Sequence, residues 1–278
     1  MPVLIPRSLD EALSMLSTQP EATMLSGGTD LMVEVNFNHR RPETVIALKK
    51  VNELATWSVD QDKNSIFIGA GVTHGELETG TVATILPALA QACRTVGSPQ
   101  IRAAGTIGGN LGTCSPAGDT LPVLSALNAV VHLQSQKGER QLPFQEFMTG
   151  PKRNARNSDE IITGVTAPIP DGKQGYAKVG VRNAMVISVA SASVVVHQNS
   201  VRVALGSVGP TIIRCTEAEN WLNSLQLDLE RVPNEVAKEF GQRVSAESRP
   251  IDDHRSTAQY RRHAVGVLAQ RLIQRSAS

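Results

Sequence analysis

The sequence predicts an α+β protein in three parts: residues 1–57, 58–172 and 173–278. Up to about residue 168, short apolar runs typical of strands alternate with amphipathic patterns typical of helices. The run 168–175 contains two prolines and two glycines, which indicates a domain boundary. After that boundary, strand patterns come first and helical patterns follow, an order typical of a separate α+β domain.

The composition indicates a globular chain with an aliphatic core. Hydrophobic residues make up 41 % of the 278 residues and aromatic residues only 3 %, while 27 basic against 26 acidic residues give no basic excess for nucleic-acid binding. Three widely spaced cysteines and no C-x-x-C pair indicate a reducing compartment and no metal or cluster of the chain's own. No apolar run is long enough for a membrane span and no signal peptide opens the chain, so we expect a cytoplasmic protein.

The first part reads as a small α/β unit. Ser8 and Glu11 form a capping-box pattern at the start of a helix whose apolar face holds Leu9, Ala12, Leu13 and Leu16. Strands are predicted over 23–25 and 44–48, with a short helix over 31–35 between them.

The second part predicts strands over 65–70, 129–133 and 161–165. Thr73 is the expected N-cap of one helix, and Pro87 is expected in the first turn of another. Asp119 is expected to cap a further helix. The third part predicts a three-stranded sheet over 176–181, 188–197 and 201–207, followed by helices from Thr216, from Pro233 and over 258–273.

Two glycine-rich stretches stand out from these elements. Residues 97–119 hold six glycines among short polar side chains, and residues 25–31 read Leu-Ser-Gly-Gly-Thr-Asp-Leu. Glycine permits positive φ and close backbone approach, so such a stretch either cradles an anionic or planar ligand or forms a cluster of turns. Neither stretch matches a Walker A loop or a G-x-G-x-x-G dinucleotide motif. Two separated stretches predict one large ligand held at two places.

Three ordered motifs carry a resemblance to a known family. They are Leu25-x-Gly-Gly-Thr-Asp-Leu31, Thr106-Ile-Gly-Gly-Asn-Leu111 and Ser115-Pro-Ala-Gly-Asp119. With Asp159-Glu-Ile-Ile162 and the region from Lys178 to Ser188, they make nearly the whole chain resemble the FAD-binding medium subunit of the molybdenum hydroxylases. That family includes xanthine dehydrogenase and carbon monoxide dehydrogenase. The resemblance implies a two-part FAD-binding domain of the vanillyl-alcohol-oxidase type, followed by the C-terminal domain.

The resemblance also implies the cofactor contacts. The loop 26–31 would hold the pyrophosphate of FAD with backbone N–H groups, and 105–110 would cover the pyrophosphate and ribityl region. Asp119 would bind ribityl or adenosine hydroxyls, cap its helix, or do both, and Lys178 would reach the flavin unless it is an exposed strand lysine. The expected contacts are Leu25, Ser26, Gly27, Gly28, Thr29, Asp30, Leu31, Val96, Gly97, Ile101, Gly105, Thr106, Ile107, Gly108, Gly109, Asn110, Thr113, Ser115, Asp119, Ile162 and Lys178. For Val96, Gly97, Ile101 and Ile162, which match positions lining the flavin or adenine, ordinary core packing is the alternative.

The resemblance implies an electron-transfer subunit without catalytic side chains of its own. Partners would be a molybdopterin-binding large subunit, where substrate is oxidised, and a small subunit with 2Fe–2S clusters, assembled as a dimer of heterotrimers. FAD would pass electrons to NAD, oxygen or a quinone. The segment Arg182-Asn-Ala-Met185 favours a purine or other N-heterocycle as the substrate of the complex. A free-standing flavoprotein oxidase or reductase, or a scaffold that has lost its cofactor, are the alternatives.

Overall fold

A computed structural model of the chain describes residues 2–275. The outer ends of the first and third predicted parts, residue 1 and residues 276–278, lie outside the described residues. The strands are β1 Val3–Leu4, β2 Thr23–Leu25, β3 Val45–Ala47, β4 Trp57–Asp60, β5 Ser65–Gly69, β6 Val130–Ser135, β7 Gly138–Pro143, β8 Met148–Gly150, β9 Arg153–Asn154, β10 Ile161–Pro168, β11 Gln174–Val179, β12 Ala190–His197, β13 Ser200–Gly206 and β14 Ile213–Arg214. The helices are α1 Leu9–Thr18, α2 Leu31–Asn36, α3 His74–Leu77, α4 Gly80–Ile85, α5 Pro87–Arg94, α6 Pro99–Ala104, α7 Ile107–Thr113, α8 Thr120–Ala126, α9 Phe144–Phe147, α10 Thr216–Ser224, α11 Asn234–Glu247 and α12 Ala258–Gln274, with 3₁₀ turns at Leu48–Lys50 and Asn52–Ala55.

The first part is a parallel sheet in the order β1-β3-β2 with α1 packed on it. The Ser8 hydroxyl accepts a hydrogen bond from the Glu11 N–H at 3.1 Å, which confirms the predicted start of α1. Ala12, Leu13 and Leu16 are buried, as their helical spacing predicts. The sheet ends directly before the first glycine stretch, so β2 fixes where that stretch begins.

The second part contains an antiparallel sheet in the order β4-β5-β10-β6-β7, and residues of α3, α4, α5, α7, α8 and α9 pack with it around one mainly aliphatic core. The predicted strands at 65–70, 129–133 and 161–165 are present as β5, β6 and β10. The edge strands β4 and β7 were not predicted from the sequence, because their residues are mostly exposed and carry no apolar run.

The glycine-rich stretch 97–119 is not one loop, because much of it forms α6 and α7. The Ser98 hydroxyl accepts from the Ile101 N–H at 3.3 Å, and Pro99 occupies the first turn of α6. The Thr106 hydroxyl accepts from the Gly109 N–H at 3.0 Å and caps α7. These two caps hold a glycine-rich segment in helical form despite its low helix propensity.

The C-terminal domain is an antiparallel sheet in the order β11-β12-β13-β14, with α10, α11 and α12 packed around its core. The predicted sheet has three strands, and the structure adds the two-residue β14, which is too short to leave a periodic signal. Strand β11 packs against α5 of the second part, where the Tyr176 N–H donates to Gln91 Oε1 at 2.8 Å. Among residues 2–275, no helix has the length and apolar character of a membrane span.

Candidate functional site: a cleft between two glycine-rich segments

A cleft of about 400 Å³ lies between the first glycine segment, residues 25–31, and the second glycine segment, residues 104–113. Its remaining walls include Ala70 and Gly71, the turns at 48–55, the segment 152–156 and Ile162. All these walls belong to the first two predicted parts of the chain. No residue from 173 to 275 lines this cleft.

The two glycine segments are in direct contact. A Cβ on Gly27 would overlap the carbonyl oxygen of Ala104, so only glycine permits this approach. The hydroxyls of Ser26 and Thr106 share a hydrogen bond of 3.0 Å, and the Thr113 hydroxyl donates to Asp30 at 3.3 Å. These contacts explain why short polar residues accompany the glycines in both segments.

The first glycine segment presents a row of unpartnered backbone donors. Within residues 2–275, no acceptor meets the N–H groups of the five consecutive residues 26–30. Gly28 has a φ of 72°, a left-handed conformation that turns the backbone here. Consecutive N–H groups in such a turn form a concave site for an anion. None of these five residues is fully buried, and Thr29 and Asp30 are exposed, so a ligand or water can reach the donors.

The glycines of the second segment have two different roles. A Cβ on Gly108 would press against Ala70, whose carbonyl accepts the Gly108 N–H at 2.9 Å. A Cβ on Gly109 would meet only the Thr106 hydroxyl, at 3.3 Å. Gly108 therefore allows α7 to lie close to the backbone at Ala70. Gly109, which has no side chain, leaves the adjoining space of the cleft free.

Charged side chains surround the cleft. Its walls include the cations Arg40, Lys49, Lys152 and Arg156 and the carboxylates Asp30 and Glu34. Lys152 donates to Glu34 at 2.7 Å, and this hydrogen bond lowers the pKa of the Glu34 carboxyl. Sequence analysis missed these four cations. Only the assembled cleft, and no local motif, places them together.

The predicted contacts divide into two groups. Those in the cleft wall are Leu25, Ser26, Gly27, Gly28, Thr29, Asp30, Leu31, Thr106, Gly108, Gly109, Thr113 and Ile162. Those outside this wall are Val96, Gly97, Ile101, Gly105, Ile107, Asn110, Ser115, Asp119 and Lys178. The first group surrounds one open space, while most polar side chains of the second group bond to other protein groups.

Asp119 and Lys178 form the centre of a buried polar cluster between the domains. Lys178 Nζ donates to Asp119 Oδ2 at 2.7 Å, to the Thr95 carbonyl at 2.8 Å and to the Val186 carbonyl at 3.1 Å. The Tyr176 hydroxyl donates to the other Asp119 oxygen at 2.7 Å. All three N–H bonds of the ammonium therefore have protein acceptors. Burial raises the pKa of the Asp119 carboxyl, against the opposing effects of Lys178 and Tyr176.

This cluster corrects two sequence interpretations. Asp119 is the N-cap residue of α8, as predicted, but its side chain makes no hydrogen bond to that helix, so the expected capping bond is wrong. Lys178 is not an exposed strand lysine, because only 8 % of its side chain is exposed. Both residues were singled out by the family motif, whereas the periodicity of the sequence gives no sign that they meet.

The remaining predicted residues connect the cleft to this cluster. Asn110 on α7 accepts a hydrogen bond from the Thr120 hydroxyl at 3.0 Å, next to Asp119. Gly97 has a φ of 47° and turns the chain between Thr95 and Ile101. The Ser115 hydroxyl accepts from the Ala117 N–H at 3.2 Å. These residues shape the backbone behind the cleft.

One buried histidine lies behind the second glycine segment. The backbone N–H of His74 donates to the Gly105 carbonyl at 2.9 Å, and the ring nitrogen Nδ1 of His74 lies 3.7 Å from Cys93 Sγ. Burial lowers the pKa of His74 to about 4, so the ring is neutral at pH 7. Within residues 2–275, no group of His, Cys, Asp and Glu side chains could hold a metal ion.

A cleft with a row of unpartnered backbone donors, formed by the first two parts of an α+β chain, is typical of a protein that binds an anionic ligand. Residues 1–170 match the profile of the FAD binding domain in molybdopterin dehydrogenase. Residues 175–276 match the profile of the CO dehydrogenase flavoprotein C-terminal domain. The chain belongs to the FAD-binding medium subunits of the molybdenum hydroxylases. It is an oxidoreductase subunit, and its cofactor is FAD.

Known relatives agree with this assignment over most of the chain. The nicotinate dehydrogenase FAD-subunit of Eubacterium barkeri is 35 % identical, with 81 % of this chain and 80 % of that one covered. The glyceraldehyde dehydrogenase medium chain of Sulfolobus acidocaldarius is 30 % identical, with 96 % and 94 % covered. The solved structure of reconstituted CO dehydrogenase from Oligotropha carboxidovorans has a TM-score of 0.90 at 25 % identity, covering 99 % of this chain and 97 % of that one.

Proposed function

We propose that the cleft between the two glycine segments holds the ADP half of FAD, with the diphosphate on the N–H groups of residues 26–30. The row of five unpartnered donors carries this proposal. Backbone N–H groups suit a diphosphate because they donate hydrogen bonds without side-chain bulk. Gly109 and Gly112 leave room for the cofactor along α7. The other expected contacts, outside the cleft wall, would shape the path towards the flavin ring.

The proposed role of the chain is to relay electrons within a larger complex. Bound FAD supplies electron transfer, while the protein positions the cofactor and limits its access to solvent. Electrons would come from 2Fe–2S clusters of a partner subunit and leave to NAD, oxygen or a quinone. Substrate would be oxidised on a molybdopterin subunit, and two such heterotrimers would pair. Subunit designations such as "medium chain" among the relatives support an assembly of this kind.

The substrate of the complex is a separate question. The nicotinate dehydrogenase relative supports the predicted N-heterocycle. The glyceraldehyde dehydrogenase relative is nearly as similar to this chain, so the medium subunit by itself discriminates weakly between substrates. We retain an N-heterocycle as the proposal for the complex. The domain boundaries at 57/58 and 172/173 and the cytoplasmic location also stay predictions.

Reconstitution tests the proposed relay. The chain loaded with FAD is mixed anaerobically with the cluster-bearing and molybdopterin subunits, and flavin absorbance is followed after substrate is added. We expect flavin bleaching only when all three subunits are present. Bleaching by substrate with the isolated chain would instead favour the free-standing flavoprotein, and a complete complex whose flavin stays oxidised would contradict the relay.

A further inference from the structure

The charges of the cleft wall are unevenly neutralised. Lys152 lies 2.7 Å from Glu34, and Arg40 lies 3.9 Å from the same carboxylate. Two of the four cations thus share one anion. For Lys49 and Arg156, within residues 2–275, no carboxylate lies within 4.0 Å of the charged group. Lys49 is exposed, whereas Arg156 is partly buried.

The backbone fixes the Arg156 guanidinium without neutralising it. One nitrogen, Nη1, donates to the carbonyls of Asn157 at 2.8 Å and Glu160 at 2.7 Å. In the described part of the chain, Nε and Nη2 have no acceptor. Burial lowers the pKa of Arg156, against the opposing effects of Glu160 and Asp159. An arginine nevertheless stays charged, so the fold carries a partly desolvated cation with free donors.

The segment that carries Arg156 is attached to the second glycine segment. The Lys152 N–H donates to the Cys114 carbonyl at 3.0 Å, and Asn154 Nδ2 donates to the Gly112 carbonyl at 2.9 Å. Asn154 Oδ1 in turn accepts a hydrogen bond from the backbone N–H of Arg156 at 3.2 Å. These bonds place Arg156 in the wall of the same cleft that the N–H groups of residues 26–30 line.

We propose that Arg156 is the charge-compensating ligand of the cofactor diphosphate and thereby selects a diphosphate-bearing flavin over riboflavin. This inference rests on the proposed function, because it assigns the diphosphate to this cleft. Backbone N–H groups donate hydrogen bonds but carry no net charge. A guanidinium adds the charge and can bind phosphate oxygens through two parallel donors.

Binding of ADP to the full-length, flavin-free chain tests the proposal without involving flavin chemistry. Isothermal titration calorimetry compares the wild type with Arg156→Gln, Arg156→Lys and the control Arg153→Gln, which removes an exposed arginine of β9 outside the cleft wall. Losing a charge-assisted hydrogen bond predicts a dissociation constant about tenfold or more higher for Arg156→Gln. Arg156→Lys should fall between the wild type and Arg156→Gln, and Arg153→Gln should match the wild type.

The outcomes separate this inference from the proposed function. A wild-type chain that binds neither ADP nor FAD would contradict the proposed function itself. A wild type that binds ADP no more tightly than Arg156→Gln does would overturn only the role of Arg156. An Arg156→Lys variant as weak as Arg156→Gln would overturn charge compensation.

A second measurement uses the wild type alone and does not depend on the folding of a variant. Phenylglyoxal, a dicarbonyl reagent selective for arginine, is applied with and without ADP, and modified peptides are mapped by mass spectrometry. ADP should slow the modification of Arg156 and leave Arg153 unaffected. Equal rates at Arg156 with and without ADP, including no reaction in either case, would overturn the proposal.

Discussion

The N–H row at residues 26–30 and the Asp119–Lys178 cluster differ in how completely their polar groups are satisfied. Both were predicted from one family resemblance as parts of one cofactor site. In the first, five consecutive backbone donors have no acceptor among residues 2–275. In the second, the ammonium of Lys178 has three protein acceptors, and both Asp119 oxygens accept hydrogen bonds.

This difference indicates that the N–H row has free donors for a ligand, whereas the polar groups of the Asp119–Lys178 cluster already bond to other protein groups. Unpaired buried donors cost free energy, so the N–H row is stable only in a place where a ligand or water reaches it. A buried ion pair with extra hydrogen bonds fixes the groups that form it. Because Lys178 and Tyr176 lie on β11 and Asp119 precedes α8, the cluster attaches the C-terminal domain to the cofactor domain.

Lys178→Met should have the largest effect on folding. It leaves the Asp119 carboxylate buried without its cation, which costs about 3–5 kcal/mol of unfolding free energy. Urea denaturation at pH 7 measures the loss, with the highly exposed Lys63→Met as a control that should behave as the wild type. A stable Lys178→Met chain that had only lost FAD affinity would place Lys178 with the ligand-binding region instead.

Gly109→Val should act on the ligand and not on the fold. A Cβ would meet only the Thr106 hydroxyl, at 3.3 Å, so that side chain must shift by a few tenths of an ångström. Valine has a higher helix propensity than glycine, which offsets this cost, so the melting temperature should change little. The branched side chain would occupy the cleft, and we expect FAD to bind about a hundredfold more weakly, equivalent to about 2–3 kcal/mol of overpacking. Flavin fluorescence titration measures the affinity. Gly75→Val, at a helical glycine outside the cleft wall, is the control, and equal affinities for the two variants would contradict the placement of the cofactor.

Acidification should lower the free energy of unfolding, because it protonates His74, the buried residue behind the second glycine segment. The pKa of His74 is about 4 in the folded chain against 6.5 for an ordinary histidine, so protons bind preferentially to the unfolded state. The stability that neutral His74 provides is complete above about pH 6.5 and is lost as the pH falls towards 4. Between pH 7 and pH 5 the chain should lose about 2 kcal/mol more than His74→Gln does. Urea denaturation at both pH values checks this, and parallel losses in the two proteins would contradict a buried neutral ring.

Tyr176→Phe should have the smallest effect of the four. The substitution removes one hydrogen bond to a buried carboxylate and keeps the ring, which predicts a loss of about 1.5 kcal/mol of unfolding free energy. Tyr260→Phe, at the exposed second tyrosine, is the matched control. If both variants unfold at the same urea concentration, the phenol does not contribute to the attachment of the domains.

Local signals allowed much of the fold to be predicted from the sequence. The Ser8 cap of α1 and the Thr73 cap of α3 could be predicted because each depends on residues three apart. The unusual composition of the glycine segments predicted a ligand site there, and this stays a prediction. The helices α6 and α7 were not, because their glycines hide the weaker signals of the Ser98 and Thr106 caps.

The relations between distant residues could not be predicted. Arg156 lies in a polar segment that resembles any solvated loop until the fold places it in the cleft wall. Tyr176 and Asp119 are 57 residues apart, and no periodicity connects them. Such pairs depend on how the C-terminal domain packs on α5 and α8, which is a property of the assembled core.

A crystal structure of the full chain with FAD bound tests the central claim most directly. We predict phosphate oxygens within about 3 Å of backbone nitrogens in residues 26–30, with Lys178 still bonded to Asp119. A structure in which the diphosphate contacts Lys178, while the N–H groups of residues 26–30 bond only to water, would contradict the division between a ligand-binding cleft and a saturated domain contact.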